Sequence, residues 1–572
     1  MRTLKQTGKL FVLAAGAAIV VTGCQTYKPP MESWRGGAVA EAATQFTAKA
    51  EKNKSNIDTI VWRLEQGTAL RAAGQYRESV AAFDAAEEKI NAYDEQAKIS
   101  VSSETGALLS NQANLPYKGR DYDKVMLNAY KALDYLQLGE PDKARVEFFR
   151  ATQRQQDAEE NNKKRIEKAE KEFESLKDSN EKNAASGKEM ADKANADPQF
   201  KQKVATEYGY LDEFPAKANY VNPFVYYING LYFLAANKDA SDLSRARDSF
   251  RFALGSIGDN KFIKQDLEMV DQVSQGAAIP PTTYIIFETG CAPERGQIRI
   301  PIPLFLAGVK NVPYVGATFP TLKKQEGQLP RLNVTAAGAN ETTVLLASMD
   351  SAVGQDFKNE LPTVITKTLA SACIKAAASY AVNKSMEKED VWAQLAVKIL
   401  LAAVQMAVDI ADTRTWNTLP KEFQFCRIAT PPDRKIELSG PNGESRVDVT
   451  VEDGTVNLIY VKSINQNSPL LVSQIRLNGS TSALAGSATS VSPAEAVPAT
   501  TPLTTPEAAP VPTAISEVKV SPATIIPKVS EPVGQELPVT STPSDSDSKK
   551  SIGTPDNVST NTTAVDAITP KP

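Results

Sequence analysis

The stretch WRLEQGTALRAAGQYRESVAAFDAA, Trp62–Ala86, decides the fold class of the N-terminal half. Gly67, Ala69 and Leu70 recur at helical spacing, Gly74-Gln75-Tyr76 breaks the pattern, and Phe83 and Ala86 resume it. Small residues at 67 and 69 let two helices approach closely, and the second helix packs back through Phe83 and Ala86. This is the pattern of a tetratricopeptide-like helical hairpin. A second copy runs from Lys124 to Gln153, with Ala132, Tyr135, Gly139, Ala144, Phe148 and Ala151 in the matching places. A third, with Gly230, Phe233, Ala246, Phe250 and Ala253, matches if about four residues are inserted around Asn237–Asp242. The copies are not contiguous at the usual period, so other helices lie between them. Stacked hairpins bury a continuous core and leave a concave face, a surface suited to proteins and peptides.

Working outward, residues 154–203 are almost all polar and predict a long charged helical arm with a turn near Asn180–Asn183. It serves either as a solvated hairpin or as a coiled-coil arm for a partner. Tyr208, Tyr210, Tyr220, Phe224, Tyr226, Tyr227, Tyr232 and Phe233 then crowd around Asn222-Pro223. Aromatic side chains at this density suit a core, and equally a partner-binding groove. For a groove, Tyr208, Tyr210, Tyr226, Tyr227 and Tyr232 are the candidate contacts.

From about 280 the periodicity changes. Tyr284–Phe287, Ile298–Ile302, Val334, Thr343–Ala347 and, after Trp416, the stretches 422–428, 434–438, 445–451 and 455–463 carry strand signals. Glu452-Asp453-Gly454 is expected to be a hairpin turn. Phe357–Val382 and Val391–Ile410 have helical spacing. The second is long enough to span a bilayer, but Lys398 near its middle would cost roughly 2.5–3.5 kcal/mol there, so a buried or amphipathic helix is expected. After Tyr460 there are no aromatic residues, and from about 480 Pro, Thr, Ser, Ala and Val dominate. Such a tail cannot bury enough apolar surface to fold and is expected to be disordered, as a tether or a segment threading peptidoglycan.

The N-terminus carries an address. Arg2, Lys5 and Lys9 precede an apolar run, Leu10–Val21, and then Val21-Thr22-Gly23-Cys24. About a dozen apolar residues are too few to cross a bilayer and suit a secretory signal. The sequence ending at Cys24 resembles the lipobox of bacterial lipoproteins, which implies that Cys24 becomes an acylated N-terminus. Gln25, rather than Asp, implies sorting to the outer membrane, periplasmic face, or, in an organism with one membrane, to the outer face of the cytoplasmic membrane.

Composition narrows the chemistry. The 572-residue chain has a net charge of −4, which gives no field for nucleic acid, and no histidine. Histidine-based triads, dyads, zinc sites and haem ligation are therefore excluded. The four cysteines are Cys24, Cys291, Cys373 and Cys426. With Cys24 acylated, one disulfide remains open to the rest, and Cys291–Cys426 is the favoured pair because both sit in strand segments. Nothing in the pattern calls for a metal or cofactor.

Two stretches carry a resemblance. Tyr117–Lys124, running on into Asn128–Leu133, is one, and Asp412–Trp416 followed by Leu419-Pro420 is the other. With Asn222-Pro223-Phe224 and Phe287–Gly290, they resemble a family of bacterial envelope lipoproteins with a tetratricopeptide-like N-terminal half. The resemblance covers roughly residues 24 to 475. It implies a role in envelope assembly, by association with penicillin-binding-protein activators, and no catalytic residue.

Signatures of nucleophilic catalysis are weak. SxxK occurs at Ser179–Lys182 and Ser385–Lys388, both in polar stretches without a KTG partner. Glu288, at the end of an apolar strand, and Asp412 are the carboxylates that burial would tune for acid–base work; pairing of Asp412 with Arg414 is the simpler expectation. Arg120 with Asp121 and Asp123 is expected to form a helix cap with its salt bridges. The chain is therefore expected to be an α+β multidomain protein: a signal peptide over 1–23, helical hairpins over 24–279, an α+β domain with an antiparallel sheet and a helical pair over 280–478, and a disordered tail over 479–572. Its expected function is that of a membrane-anchored, non-enzymatic adaptor for an envelope protein, with a cell-wall-acting enzyme using Glu288 as the alternative.

Overall fold

Helices form where the hairpin pattern places them, and their ends follow local chemistry. The computed structural model describes residues 28–99, 112–175, 184–215, 222–303, 314–385 and 410–478. The signal segment with Cys24, the turn at 180–183, Tyr220, the first SxxK and Lys388 of the second, nearly all of 391–410, and the tail from 479 lie outside them.

The helical part comprises α1 (Lys28–Arg35), α2 (Val39–Lys52), α3 (Thr59–Ala72), α4 (Tyr76–Ile99), α5 (Asp121–Gln137), α6 (Pro141–Ser175), α7 (Ala184–Ala196), α8 (Pro198–Tyr208), α9 (Pro223–Ala236), α10 (Ala240–Ile257) and α11 (Lys261–Ser274). Asp197, Asn222, Asp239 and Asn260 cap α8, α9, α10 and α11 by accepting backbone N–H bonds from the first turn. Pro198 and Pro223 occupy first-turn positions, where a missing N–H costs nothing.

Three hairpins, α3–α4, α5–α6 and α9–α10, realise the repeat. Their turns contain Gly74 (φ 76°), Gly139 (φ 71°) and Asn237 (φ 34°), each left-handed. A Cβ on Gly67 would overlap the Phe83 ring, and one on Gly230 would stand 2.9 Å from the Phe250 ring. The third copy differs from expectation in one respect. Its turn, Asn237–Asp239, matches Ala73–Gln75 and Leu138–Glu140 in length, so the extra four residues are a helical turn within α9 and α10, not a longer loop.

The second half holds β1 (Thr282–Thr289), β2 (Glu294–Pro303), β3 (Tyr314–Lys323), β4 (Asn333–Ala336), β5 (Ala339–Thr342), β6 (Val344–Ser348), α12 (Met349–Ser385), β7 (Glu422–Ala429), β8 (Lys435–Ser439), β9 (Val447–Thr450), β10 (Val456–Ser463) and β11 (Leu471–Arg476). The main sheet has five strands in the order β11-β10-β1-β7-β6. Its central pair, β1 and β10, is parallel, with Tyr284 beside Leu458 and Glu288 beside Lys462. The sheet is therefore mixed, where antiparallel pairing was expected. The remaining pairs in it are antiparallel. A second sheet, β5-β4-β8-β9, and a two-stranded ribbon, β2-β3, complete the half. Glu452-Asp453-Gly454 is not a hairpin turn, because β9 pairs with β8 and β10 with β1, so this bend carries the chain from one sheet to another.

Residue 280 marks a change of secondary structure but not of core. Every position of β1 and β10 is buried. One face of the main sheet presents Tyr284, Ile286, Glu288, Phe423, Phe425 and Tyr460, and the helices cover it. Phe224 of α9 stacks on Phe423 at 3.9 Å, and Tyr227 meets Phe425 at 4.5 Å. Trp416 wedges between Phe83 and Tyr130, 5.8 and 5.9 Å away. One hydrophobic cluster runs from Ile60 to Ile475 through both halves.

The hairpin geometry gives a first expected outcome. Gly67→Ala should lower stability by about 1–3 kcal/mol, since overpacking against Phe83 outweighs the helix propensity gained. Gly255→Ala, where an added Cβ meets open space, should be neutral or stabilising by up to about 1 kcal/mol. Denaturant unfolding of both variants measures the difference.

Candidate functional site

Glu288 is the carboxylate on which acid–base chemistry would depend, and β1 delivers it into the seam between sheet and helices. Its side chain is 2% exposed. Lys462 of β10 pairs with it at 2.6 Å, Tyr130 of α5 donates to it at 2.8 Å, and Tyr460 also donates. Burial alone would raise its pKa; the Lys462 ammonium and Arg71 guanidinium overcome this and hold it below the usual carboxylate range. Arg71 lies over the rings of Tyr130 and Tyr460, at 5.3 and 4.8 Å, and pairs with Asp134, which also accepts from Ser79 at 2.7 Å. Lys462 in turn sits 5.2 Å over the ring of Trp34.

A second cluster repeats this chemistry on the same face of the sheet. Asp266 of α11 accepts from Tyr227 and Tyr284, both at 2.9 Å, and pairs with Arg427 at 3.2 Å. Burial pushes Asp266 up to about 6 despite Arg427 and the two hydroxyls. A third cluster ties α5, α6 and β2 to α12. Arg120 pairs with Asp356 at 3.1 Å and with Glu360, Arg295 with Glu360 at 2.9 Å, and Arg165 with Asp356 at 3.3 Å. Asp123 accepts the Arg120 backbone N–H at 2.9 Å, as the expected cap, while the Arg120 side chain turns away to α12. In each cluster the carboxylate faces cations or hydroxyl donors of the chain itself. This is fastening chemistry: a buried charge paired with an opposite charge of the chain.

The Asp412–Trp416 stretch fastens the loop before β7 to α3. Asp412 pairs with Arg414 at 2.7 Å, as expected, and Arg414 also reaches Asp58 at 3.0 Å. Trp416 donates to Thr68 at 2.9 Å. Glu65, fully buried, accepts the backbone N–H groups of Asn417 at 2.7 Å and Thr418 at 3.0 Å. Burial pushes Glu65 up to about 7 against the lowering effect of these bonds.

The five tyrosines expected in a partner groove are not available to one. Tyr208, Tyr226, Tyr227 and Tyr232 are buried and Tyr210 is partly buried. Tyr208 donates to the Pro320 carbonyl at 2.7 Å, and Tyr210 accepts from the Leu322 N–H at 2.8 Å, so both hold the β2-β3 ribbon. Tyr232 donates to the Pro141 carbonyl at 2.9 Å, and Tyr226 stacks on Phe252 at 5.0 Å. Their apolar surface is spent on the sheet and on neighbouring helices. The expected Cys291–Cys426 disulfide is also corrected, because Cys291, Cys373 and Cys426 are free and buried. Cys426 lies opposite Ile285, whereas Cys291 follows the far end of β1. Ile285 to Thr289 alone spans about 13 Å, well beyond the roughly 7 Å limit between bridged Cα atoms.

An open cleft of about 310 Å³ is lined by Leu211, Leu361, Pro362 and Ile365, with Lys358 as its charged group. Lys358 donates to the Phe214 carbonyl at 3.0 Å, so the cleft carries no acid–base pair. Among the described residues, no cluster of acidic or thiol side chains could hold a metal ion, and no helix is long and apolar enough to cross a membrane. Sequence reasoning missed Glu65, Asp266, Arg295 and Glu360. The signal for Glu65 was the one acid in the helical stretch Ile60–Leu70. Comparison with protein families, curated proteins and solved structures finds no match to this chain.

Two outcomes follow from the clusters. Glu288→Gln leaves the Lys462 ammonium buried without its counter-charge and should cost about 3–5 kcal/mol, part of which Lys462→Met in the same chain should restore; denaturant unfolding of the single and double variants checks this. Glu65 has a folded pKa of about 7, above its ordinary 4.5. Its contribution is therefore fully present below about pH 4.5 and is lost as pH rises through 7, a span worth about 3 kcal/mol. Between pH 5 and 8 the stability of the native chain should fall more steeply than that of Glu65→Gln.

Proposed function

We propose that this chain is a bacterial envelope lipoprotein, held to the periplasmic face of the outer membrane by acylated Cys24, that works as a protein-binding adaptor. The observation that carries the reading is the order of a basic segment, the apolar run Leu10–Val21 and Val21-Thr22-Gly23-Cys24. Two or more acyl chains give stable anchoring without a spanning helix. The stacked hairpins supply the kind of surface that repeat proteins use for partners. With the tyrosines committed to the interior, that surface lies on the outward helix faces, where Val146 of α6 and Phe252 of α10 are exposed. An envelope protein is the proposed partner, and peptidoglycan is the proposed contact of the tail.

The enzyme alternative loses its candidate, since Glu288 is engaged by Lys462, Tyr130 and Tyr460. Adaptor work fits a chain whose buried charges are used to fasten its own elements. In cells, the native chain should fractionate with membranes and show an intact mass carrying acyl chains. Cys24→Ser should show an intact mass without acyl chains and a smaller share in the membrane fraction. A native chain that is soluble and unacylated would overturn the anchoring.

A further inference from the structure

We infer that the protein sits directly on the lipid surface in one fixed orientation, with the α1-bearing end of the main sheet toward the bilayer and Asn478 at the opposite end. The inference rests on the lipid-anchored reading of Cys24 and adds how the anchored body is held.

The first observation is how soon the chain becomes part of the body after Cys24. Between Cys24 and Lys28, the first residue of α1, a fully extended chain spans at most about 14 Å. From there α1 packs into the fold through Pro30, Met31 and Trp34. Trp34 is fully buried, packed with Met31 against Trp62, Leu70, Cys291 and Ile464. Arg35 pairs with Glu294 at 3.0 Å, and its carbonyl accepts from Asn465 at 2.6 Å. Lys462 lies 5.2 Å over the Trp34 ring. A Cβ on Gly37 would stand 2.6 Å from the Ser468 hydroxyl oxygen, so the loop after α1 fits closely against the loop after β10. Acyl chains at Cys24 therefore bring the bilayer to within a short, bounded distance of a rigid part of the fold. The occupant of the α1 face is the lipid surface itself, not a protein reached across a linker.

The second observation is where the chain leaves. α1 packs at the Ser463 end of β10, beside Ile464 and Asn465. β11 returns antiparallel to β10, from Leu471 opposite Lys462 to Arg476 opposite Asn457. Leu477 donates to the Val456 carbonyl at 3.0 Å, and Asn478 accepts from the Val456 N–H at 2.7 Å. The last described residue is thus fixed at the Val456 end, about 25 Å along the strand from the α1 end.

Two exposed loops at the ends of β10 make the orientation measurable. Gln466 lies at the α1 end, in a loop held by its N–H to the Gly327 carbonyl at 2.8 Å; Asp453 lies before β10 at the other end. The acylated full chain, carrying a donor dye at Gln466→Cys or at Asp453→Cys, is bound to phosphatidylethanolamine–phosphatidylglycerol vesicles containing an acceptor-labelled lipid. Energy transfer from 466 should be at least twofold stronger than from 453, and a label at Glu452→Cys should repeat the distal value. A flexible insert of about 20 Gly and Ser residues after Gln25 should bring the two ends toward equality. Equal transfer from both ends at native spacing, on protein whose intact mass shows acyl chains, overturns the fixed orientation alone. An intact mass without acyl chains overturns the anchoring reading and this inference together.

Discussion

The helix-facing surface of the five-stranded sheet is the constraint on which the rest of the structure depends. β1 and β10 are buried along their whole length, so both faces of the sheet need a cover. The smaller sheet lies toward one face, where Thr343 donates to Gln424 at 2.8 Å. The helical hairpins, together with α11, cover the other. The hairpins have the reciprocal need, since α9 is buried at every position from Pro223 to Ala235. A helix apolar all round cannot remain at a surface. Each half thus supplies the other's missing layer, and among the described residues the main core is shared by both kinds of secondary structure.

Polar clusters within that seam decide how the layers meet. Apolar contact alone tolerates sliding, whereas Glu288 finds Lys462, Tyr130 and Tyr460 in one register of β1. A slip by one residue would turn Glu288 to the opposite face, away from all three. Asp266 sets the same condition at the other end of the strand, through Tyr227, Tyr284 and Arg427. Two carboxylates, each holding tyrosine hydroxyls and one cation, pin the helices at both ends of β1. The buried pairs add less to stability than their number suggests, because desolvation offsets much of the attraction; their larger effect is to exclude alternatives.

Local features were legible in the sequence and distant pairings were not. The Gly67–Phe83 contact could be anticipated because both residues belong to one hairpin. The strands around Tyr284–Phe287 and 455–463 announced themselves by composition, and Asp412 with Arg414 by proximity. The parallel pairing of β1 with β10 joins residues far apart in sequence, and no local pattern encodes it. β3 and β11 escaped notice because Pro320 and the polar Ser473-Gln474 weaken their strand signal. The aromatic stretch was ambiguous for a physical reason: tyrosines satisfy a core that offers hydroxyl partners as well as they satisfy an interface. Without the positions of Pro320, Leu322 and Pro141, nothing in the sequence separates the two. The same limit hid the role of Glu288, whose partners lie on α5 and β10.

A single main core joined through the seam suits the adaptor role proposed above. The same packing that engages Glu288, Asp266 and Glu360 with cations and hydroxyls of the chain holds α1 against the sheet. The most direct measurement is native-state hydrogen exchange with increasing denaturant, comparing amides of α9 (Phe224–Ala235) with those of β1 (Thr283–Thr289). With one shared core, both sets should lose protection through the same opening, at the same free energy and with the same denaturant dependence. Protection that persists in α9 after β1 has opened, or in β1 after α9 has opened, would contradict it.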